Sequence, residues 1–264
     1  MFTIHPRICV YWATGIALVL LSLPLREFTW HGSAELHTIM EVTAALLALA
    51  VGGLALLRYH SLKHATFLFV GMGFFGTALL DMYHAAVTSQ WFAAHFSTGL
   101  NSLIPWSWLA SRLFLSQFLF LSYLAWRREQ RAGYSRFLDE KVIYAAAAAM
   151  AIVYFFFFAL VQLPPAYYKT LFFHRPAEFL PALFFLAALV GYLHKGQWRT
   201  SPIEHWLVLS LVVSAVSQLA FMPRSGELFD TMFDVAHLLK KASYVLVLVG
   251  LAISIYQLHK REVE

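Results

Sequence analysis

Long apolar segments alternate with short polar segments along the whole chain of 264 residues. The apolar segments lie at about 8–25, 36–57, 65–87, 105–126, 142–163, 177–194, 205–222 and 236–258. A helix needs roughly 20 apolar residues to cross about 30 Å of hydrocarbon, and each segment is close to that length. The pattern therefore predicts an all-α fold, a polytopic transmembrane helical bundle of about eight spans.

Basic residues are distributed unevenly over the segments that connect these spans. If the N-terminus is cytoplasmic, the inner segments carry Arg7, Arg58, Lys63, Arg127, Arg128, Arg131, Arg136, Lys141, Lys195, Arg199, Lys260 and Arg261. The outer segments then carry only Arg26, Lys169, Arg175 and Arg224. An excess of Lys and Arg marks the cytoplasmic side of a membrane protein. We therefore predict that both termini are cytoplasmic.

Composition limits what else the chain can contain. It is 60% hydrophobic and 12% charged, and its mean hydropathy is +0.66, which argues against a water-soluble domain. We predict one integral membrane domain over 1–264, with the first span and an outer loop at 1–35, spans two to eight at 36–258, and a cytoplasmic linker beginning at 259–264. The net charge is +5, but the basic residues lie at span ends and form no stripe, so we expect no nucleic-acid partner. Because Cys9 is the only cysteine, an intrachain disulfide and a cysteine-based zinc site are excluded.

Several ionisable and polar residues fall inside the predicted spans, where the membrane makes them costly. A spacing of four places His37 and Glu41 on one helix face, and a spacing of three does the same for Asp81 and His84. The other candidates are Trp108, Arg112, Gln218, His237, Lys240, Lys241 and Tyr244. The predicted topology brings all of them to the outer leaflet. This convergence predicts a ligand-binding pocket that opens toward the extracytoplasmic side.

Each candidate also has a structural explanation that leaves the pocket unnecessary. His37 and Glu41 can form a hydrogen bond on the helix surface, and Asp81 and Arg112 can form an ion pair that holds spans three and four together. Lys240 and Lys241 can extend to the lipid headgroups. Convergence of spans two, three, four and eight at one depth favours the functional interpretation over these separate ones.

Three of the candidates, His37, His84 and His237, are possible metal ligands because neutral imidazole binds zinc, copper and iron. The cofactor is unknown at this stage, with a transition metal or a haem as alternatives. A bundle that binds haem between two helices would carry histidines deep in both, whereas these histidines lie near span ends. The spacing selects no metal.

Four motifs together resemble the third class of the MASE family, the bacterial membrane-associated sensor domains. They are His37-Thr-Ile-Met-Glu41, Leu79-Leu-Asp-Met-Tyr-His84, Trp108-Leu-Ala-Ser-Arg112 and His237-Leu-Leu-Lys-Lys-Ala-Ser-Tyr244. The resemblance implies an N-terminal sensory module of a histidine kinase or diguanylate cyclase in a bacterial inner membrane. It places the chain in two-component or cyclic-di-GMP signalling. It also implies that any catalytic output domain lies outside this chain, which is itself not an enzyme.

The leading hypothesis is a sensor that binds a small ligand or a metal ion and relays its binding through span eight. Its expected partners are the lipid bilayer, a cytoplasmic kinase or cyclase output domain, and a second copy in a homodimer. The run Ala145–Ala149 favours either a tight contact within the chain or the seam of that dimer. The alternatives are a small transporter or channel, and a membrane oxidoreductase that binds haem or metal.

Overall fold

The computed structural model describes residues 5–95, 100–132 and 139–263. In these ranges the α-helices are α1 (Pro6–Leu25), α2 (Ala34–Leu62), α3 (Ala65–Thr88), α4 (Gln90–His95), α5 (Leu100–Ala132), α6 (Glu140–Leu160), α7 (Phe179–Lys195), α8 (Pro202–Val216) and α9 (Thr231–Val263). Apart from the short α4, each helix belongs to a segment that is long and apolar enough to cross a membrane. The eight predicted spans are therefore confirmed, whereas the side on which the termini lie stays a prediction.

Local sequence signals explain where several helices begin and end. The Ser33 side chain accepts a hydrogen bond from the Leu36 amide and so caps the free N–H groups at the start of α2. Pro202 occupies the first turn of α8, where a missing N–H is harmless. Helix α7 ends at Gly196, whose φ of 76° lies in the left-handed region that glycine adopts without strain.

Six of the helices form a closed ring. They follow one another in the order α2, α3, α5, α7, α8 and α9, each contacts the next, and α9 contacts α2. Helix α1 packs outside the ring against α8, and α6 packs outside it against α3 and α5. The middle of the ring is filled by apolar side chains, among them Phe74, Leu115, Leu211 and Val247.

Glycine allows α2 and α3 to approach closely. A Cβ atom on Gly52 would lie 2.9 Å from the Phe75 backbone nitrogen and 3.1 Å from the Gly71 carbonyl oxygen. The alanine run on α6 gives a different result, because only Ala147 is buried and its alanine neighbours are exposed. Most of that run is therefore outside any tight contact within the chain.

The end of the ring at which α2 and α9 begin, here named the His37 end, is covered by connecting segments. Two short 3₁₀ helices, Pro176–Glu178 and Met222–Arg224, lie against each other there, and the Arg175 amide donates to the Pro223 carbonyl at 3.1 Å. An isolated antiparallel bridge also joins His31 to Asp230. The opposite end, where α2 finishes, is named the Arg58 end.

Candidate functional site

The predicted site residues lie together inside the ring at the His37 end. Ten of them are fully buried, with 0% of their surface exposed: His37, Glu41, Asp81, His84, Trp108, Arg112, Gln218, His237, Lys240 and Tyr244. Lys241 is only partly buried, and its ammonium donates to the His237 carbonyl at 3.0 Å. Whether these residues bind a ligand stays a prediction.

Lys240 joins two carboxylates in the centre of this group. Its Nζ donates to Glu41 Oε2 at 2.5 Å and to Asp81 Oδ1 at 3.0 Å, which links α9 to α2 and α3. Asp81 also accepts hydrogen bonds from the Ser111 hydroxyl and, at 3.2 Å, from the Tyr244 hydroxyl. Lys240 is thus an internal ion-pair partner, and the alternative that it extends to the headgroups is wrong.

The expected ion pair between Asp81 and Arg112 is also wrong. Among the described side chains, Lys240 is the cation beside Asp81. Arg112 donates instead to the Tyr244 hydroxyl at 3.5 Å, so Tyr244 lies between the guanidinium and the carboxylate. The guanidinium also lies over the Phe185 ring, 4.7 Å from its centroid. Helix periodicity identified the faces on which these groups lie but not the neighbours that they meet.

The three predicted histidines form one cluster. The centroid of the His37 ring lies 5.2 Å from that of His84 and 4.4 Å from that of His237, and the His84 and His237 centroids are 6.0 Å apart. The Nε2 atoms of His37 and His84 are 3.2 Å apart. His37 therefore contacts His84 on the neighbouring helix, in place of the hydrogen bond to Glu41 that was one alternative.

Hydrogen bonds on the outer side of the cluster fix the tautomers of two imidazoles. His237 Nδ1 lies 2.7 Å from the Phe233 carbonyl, which can only accept, so Nδ1 carries the proton. His84 Nδ1 lies 2.8 Å from the Ser107 hydroxyl, which donates its own proton to the Ile104 carbonyl, so this Nδ1 is also a donor. In the neutral rings both Nε2 atoms then present a lone pair to the interior of the cluster.

Several polar atoms that face this interior have no hydrogen-bond partner among the described residues. They are His37 Nδ1, Glu41 Oε1 and His237 Nε2, and the last two lie 3.8 Å apart. Buried polar groups are rarely left unpaired, so each such atom needs an explanation. One ligand atom from each of His37, Glu41, His84 and His237 falls within 4.8 Å of the others, a geometry that could hold a metal ion.

Aromatic rings occupy the space beside the histidines. The Trp108 ring centroid lies 4.0 Å from that of His237, and the Phe233 centroid lies 4.9 Å from that of His37. A haem that used these imidazoles would need its macrocycle to lie where these rings are packed. The geometry therefore favours a small ion over haem.

A second polar group borders the cluster and was only partly predicted. The Trp108 indole donates to Glu178 Oε2 at 3.1 Å, and Arg175 forms a buried ion pair with Glu178 Oε1. Gln218 connects this group to Arg112 when its amide is oriented to match its neighbours. Its side-chain nitrogen then donates to Glu178 Oε2 at 2.7 Å, and its side-chain oxygen accepts from Arg112 Nε at 3.0 Å. Gln218 lies in a π-helical turn, Ser217–Phe221, that follows α8.

Sequence reasoning missed Arg175 and Glu178, together with Ser107 and Ser111. Arg175 was counted among the outer basic residues, although its spacing of three from Glu178 at the start of a helix is typical of an ion pair. Ser107 and Ser111 lie next to Trp108 and Arg112, on the predicted span, and a search for every buried hydroxyl beside a candidate would have found them.

The chain matches a known family of membrane proteins. The family model MASE3, described as a membrane-associated sensor domain, matches residues 30–257, which is most of the chain. No curated protein and no solved structure matches the chain. The matched range includes all eleven predicted site residues.

Proposed function

We propose a sensory mechanism for this chain from one premise: the chain belongs to the MASE3 family of membrane-associated sensor domains. In this mechanism the cluster of His37, Glu41, His84 and His237 binds a divalent transition-metal ion. Helix α9 then transmits the occupancy of the cluster to a cytoplasmic kinase or cyclase domain outside the chain. The unpartnered atoms of the cluster are the observation that supports this proposal.

The donor set suits a transition metal. Three imidazoles and one carboxylate are ligands that zinc, copper and iron bind, and four ligands complete a tetrahedral zinc site. His84 and His237 each donate their Nδ1 proton to an oxygen, as metal-bound histidines usually do, so each Nε2 carries a lone pair that an ion could use. The ion would replace His37 Nε2, 3.2 Å away, as the partner of His84 Nε2. An ion at this position would also satisfy Glu41 Oε1.

Helix α9 is suited to transmit the signal because it carries two members of the site near its start. His237 and Lys240 lie in its first turns, and the helix continues without a break to Val263, roughly 50 Å from its start at 1.5 Å per residue. A ligand shifts a conformational equilibrium only if it binds one state more tightly. A metal bound to Glu41 Oε1 would withdraw negative charge from that carboxylate and weaken the bond that Oε2 accepts from Lys240, which gives the two states different contacts on α9.

The metal content of the purified chain tests the first half of the proposal. After purification in detergent without chelator and incubation with Zn²⁺, we expect near-stoichiometric metal by elemental analysis. His84→Ala and His237→Ala should each lower the Zn²⁺ affinity about tenfold or more, since removal of supporting residues alone reduces metal affinity by 10–100-fold. His95→Ala is the matched control because His95 is exposed on α4, and it should retain full occupancy.

Absence of bound Zn²⁺, Cu²⁺ and Fe²⁺ in the folded wild-type chain would contradict the metal assignment.

The second half of the proposal, the relay through α9, is tested by fusing a diguanylate cyclase after residue 264 and measuring its product in membranes with and without the metal. Activity that responds to metal in the wild type, and does not respond in His237→Ala, supports the relay. A response that survives in His237→Ala would exclude this cluster as its origin.

A further inference from the structure

We propose that the Arg58 end of the ring contains a second binding site, which takes a phosphate ester carrying a hydrogen-bond donor, such as a phospholipid headgroup. This site lies at the opposite end of α2 from His37 and Glu41 and is independent of the metal proposed there. A cavity of about 220 Å³ forms it. Its polar lining includes Arg58, Gln197, Ser201 and Glu204.

Arg58 carries the argument because its side chain is mostly buried and no carboxylate among the described residues pairs with it. Only 9% of its surface is exposed, and neither Nε nor Nη1 has a hydrogen-bond partner among the described residues. The guanidinium also lies over the Phe67 ring in a cation–π contact, with its carbon 5.8 Å from the ring centroid. Buried polar groups without a partner are destabilising, so an anion beside these two nitrogens would stabilise the chain.

The other charges in the cavity compensate each other and leave Arg58 in excess. Lys195 and Glu204 form a buried ion pair, with 3% and 7% of their side chains exposed. This pair satisfies one oxygen of Glu204, but Oε2 has no partner among the described residues. Among the described residues, the Arg58 guanidinium therefore lacks a hydrogen-bond acceptor and Glu204 Oε2 lacks a donor.

These two unmet requirements define the ligand. An anion with several acceptor oxygens fits Arg58, because its open Nε–H and Nη1–H groups point in different directions. Carboxylate and phosphate both bind guanidinium strongly, and phosphate offers the larger number of oxygens. A hydroxyl or ammonium on the same ligand would donate to Glu204 Oε2. Phosphoethanolamine and phosphoglycerol have both features, whereas phosphocholine has the phosphate but no N–H or O–H donor.

Position in the fold connects this site to α9. Val247, Leu251 and Ser254 of that helix line the cavity. They lie about one to three helical turns beyond Tyr244. The apolar residues among them, with Val70 and Leu207, give the deeper part of the cavity a hydrocarbon lining. An occupant would thus contact the same helix that carries His237 and Lys240, at its other half.

Lipid binding to the full chain tests the proposal by native mass spectrometry in detergent. We expect phosphatidylethanolamine and phosphatidylglycerol to bind the wild type about tenfold more tightly than phosphatidylcholine. Arg58→Gln should remove this binding, whereas Arg199→Gln should bind within about twofold of the wild type. Arg199 is the matched control because it is an exposed arginine in the connection that follows α7 at the same end.

Free phosphoethanolamine and glycerol phosphate identify the source of the ligand. If they displace the lipid in an Arg58-dependent way, the site takes a soluble phosphate ester; if they do not, it takes the lipid headgroup. Either result supports the site.

Leu207→Trp, which fills the cavity and leaves Arg58 in place, should also abolish binding and covers the case in which Arg58→Gln fails to fold.

Thermal unfolding gives the outcomes that would overturn the proposal. In delipidated, phosphate-free detergent, Arg58→Gln should be as stable as the wild type or more stable, and only the wild type should gain about 5 °C or more at ligand concentrations near 100 times Kd. A loss of stability in Arg58→Gln under ligand-free conditions would mean that the guanidinium already has a partner in the chain. Equal binding of all three lipids, or equal loss in Arg58→Gln and Arg199→Gln, would exclude the site.

Discussion

The middle of the ring and its His37 end bury their side chains by different means. In the middle, residues such as Ala44, Ala48, Phe74 and Val247 form one apolar core, and Gly52 and Gly71 let α2 and α3 approach closely. At the His37 end the same helices bury a lysine, an arginine, two carboxylates of the central network and three imidazoles. Ionisable groups inside a membrane are expensive, and packing alone does not require them. The middle therefore holds the fold together by packing, and the contrast supports the proposal that the His37 end binds a ligand.

The His37 end itself contains two kinds of environment. Asp81 accepts hydrogen bonds from three neighbours, Ser111, Lys240 and Tyr244, and so is fully satisfied. Glu41 has one satisfied oxygen and one without a partner among the described residues, and it lies beside the similarly open His237. The Asp81 side of the network is therefore structural, and the Glu41 side faces the proposed ion.

Lys240→Met is expected to have the largest effect, because it removes the cation shared by the two carboxylates. Truncating one partner of a buried charge pair typically costs about 3–5 kcal/mol, since the remaining charge is left uncompensated. Glu41 and Asp81 would both lose their cation, so we expect a loss at the upper part of that range. The free energy of unfolding can be measured by titration with a denaturing detergent, with helical circular dichroism as the signal.

Lys241→Met is the matched control, because Lys241 is the next residue on α9, is only partly buried and contacts a backbone carbonyl. It should change the free energy of unfolding by less than about 1 kcal/mol. Equal losses in the two variants would mean that the contacts of Lys240 with Glu41 and Asp81 do not stabilise the fold.

The fold was predictable because hydropathy and length report directly on membrane spans. The sequence located all eight, and prolines such as Pro202 marked where helices begin. Boundaries were less accurate where capping extends a helix: α9 begins at Thr231, ahead of the predicted residue 236, because Asp230 accepts a hydrogen bond from the Phe233 amide. The connecting segment with Arg175 and Glu178 gave no hydropathy signal that it folds over the end of the ring.

The sequence predicted that these residues lie close together, but it did not predict which of them pair. Rarity of ionisable residues in apolar spans was sufficient to select His37, His84, His237 and Lys240. Their partners depend on how each helix is rotated in the ring, which a spacing of three or four cannot specify. The π-helical turn at Gln218 is a further case, since it redirects a side chain without any sequence motif that marks it.

Gly52→Ala tests the other side of the comparison, the close packing in the middle of the ring. The new methyl group would meet backbone atoms of α3, the Phe75 nitrogen and the Gly71 oxygen, which cannot move independently of that helix. Overpacking of this kind costs about 1–3 kcal/mol. Gly53→Ala is an internal control, because no atom lies within 4 Å of its Cβ position, and it should be neutral or stabilising by up to about 1 kcal/mol.

The same unfolding titration distinguishes the two variants. If Gly52→Ala is as stable as Gly53→Ala, helices α2 and α3 do not approach as closely as the ring requires. Because neither glycine contacts the histidine cluster, both variants should retain wild-type metal occupancy, which separates the packing region from the binding region.

The smallest effect is expected at the surface of the His37 end, where His31 and Glu227 join the loop before α2 to the loop before α9. His31 Nε2 lies 2.7 Å from Glu227 Oε1. The hydrogen bond to Glu227 raises the pKa of His31 above its ordinary value of 6.5, and the same bond lowers the pKa of Glu227 below 4.5. Both groups are fully exposed, so the pair is weak and salt-screened.

The signs of these shifts define a pH window for the pair. The His31 contribution to stability is complete below pH 6.5 and is lost as the pH rises through the raised pKa of His31. The Glu227 contribution is complete above pH 4.5 and is lost as the pH falls through the lowered pKa of Glu227. The melting temperature of the wild type minus that of Glu227→Gln should therefore be greatest between pH 4.5 and 6.5 and should shrink in high salt. A difference that is constant from pH 4 to 9 would mean that the two loops are held by the His31–Asp230 backbone bridge instead of the charge pair.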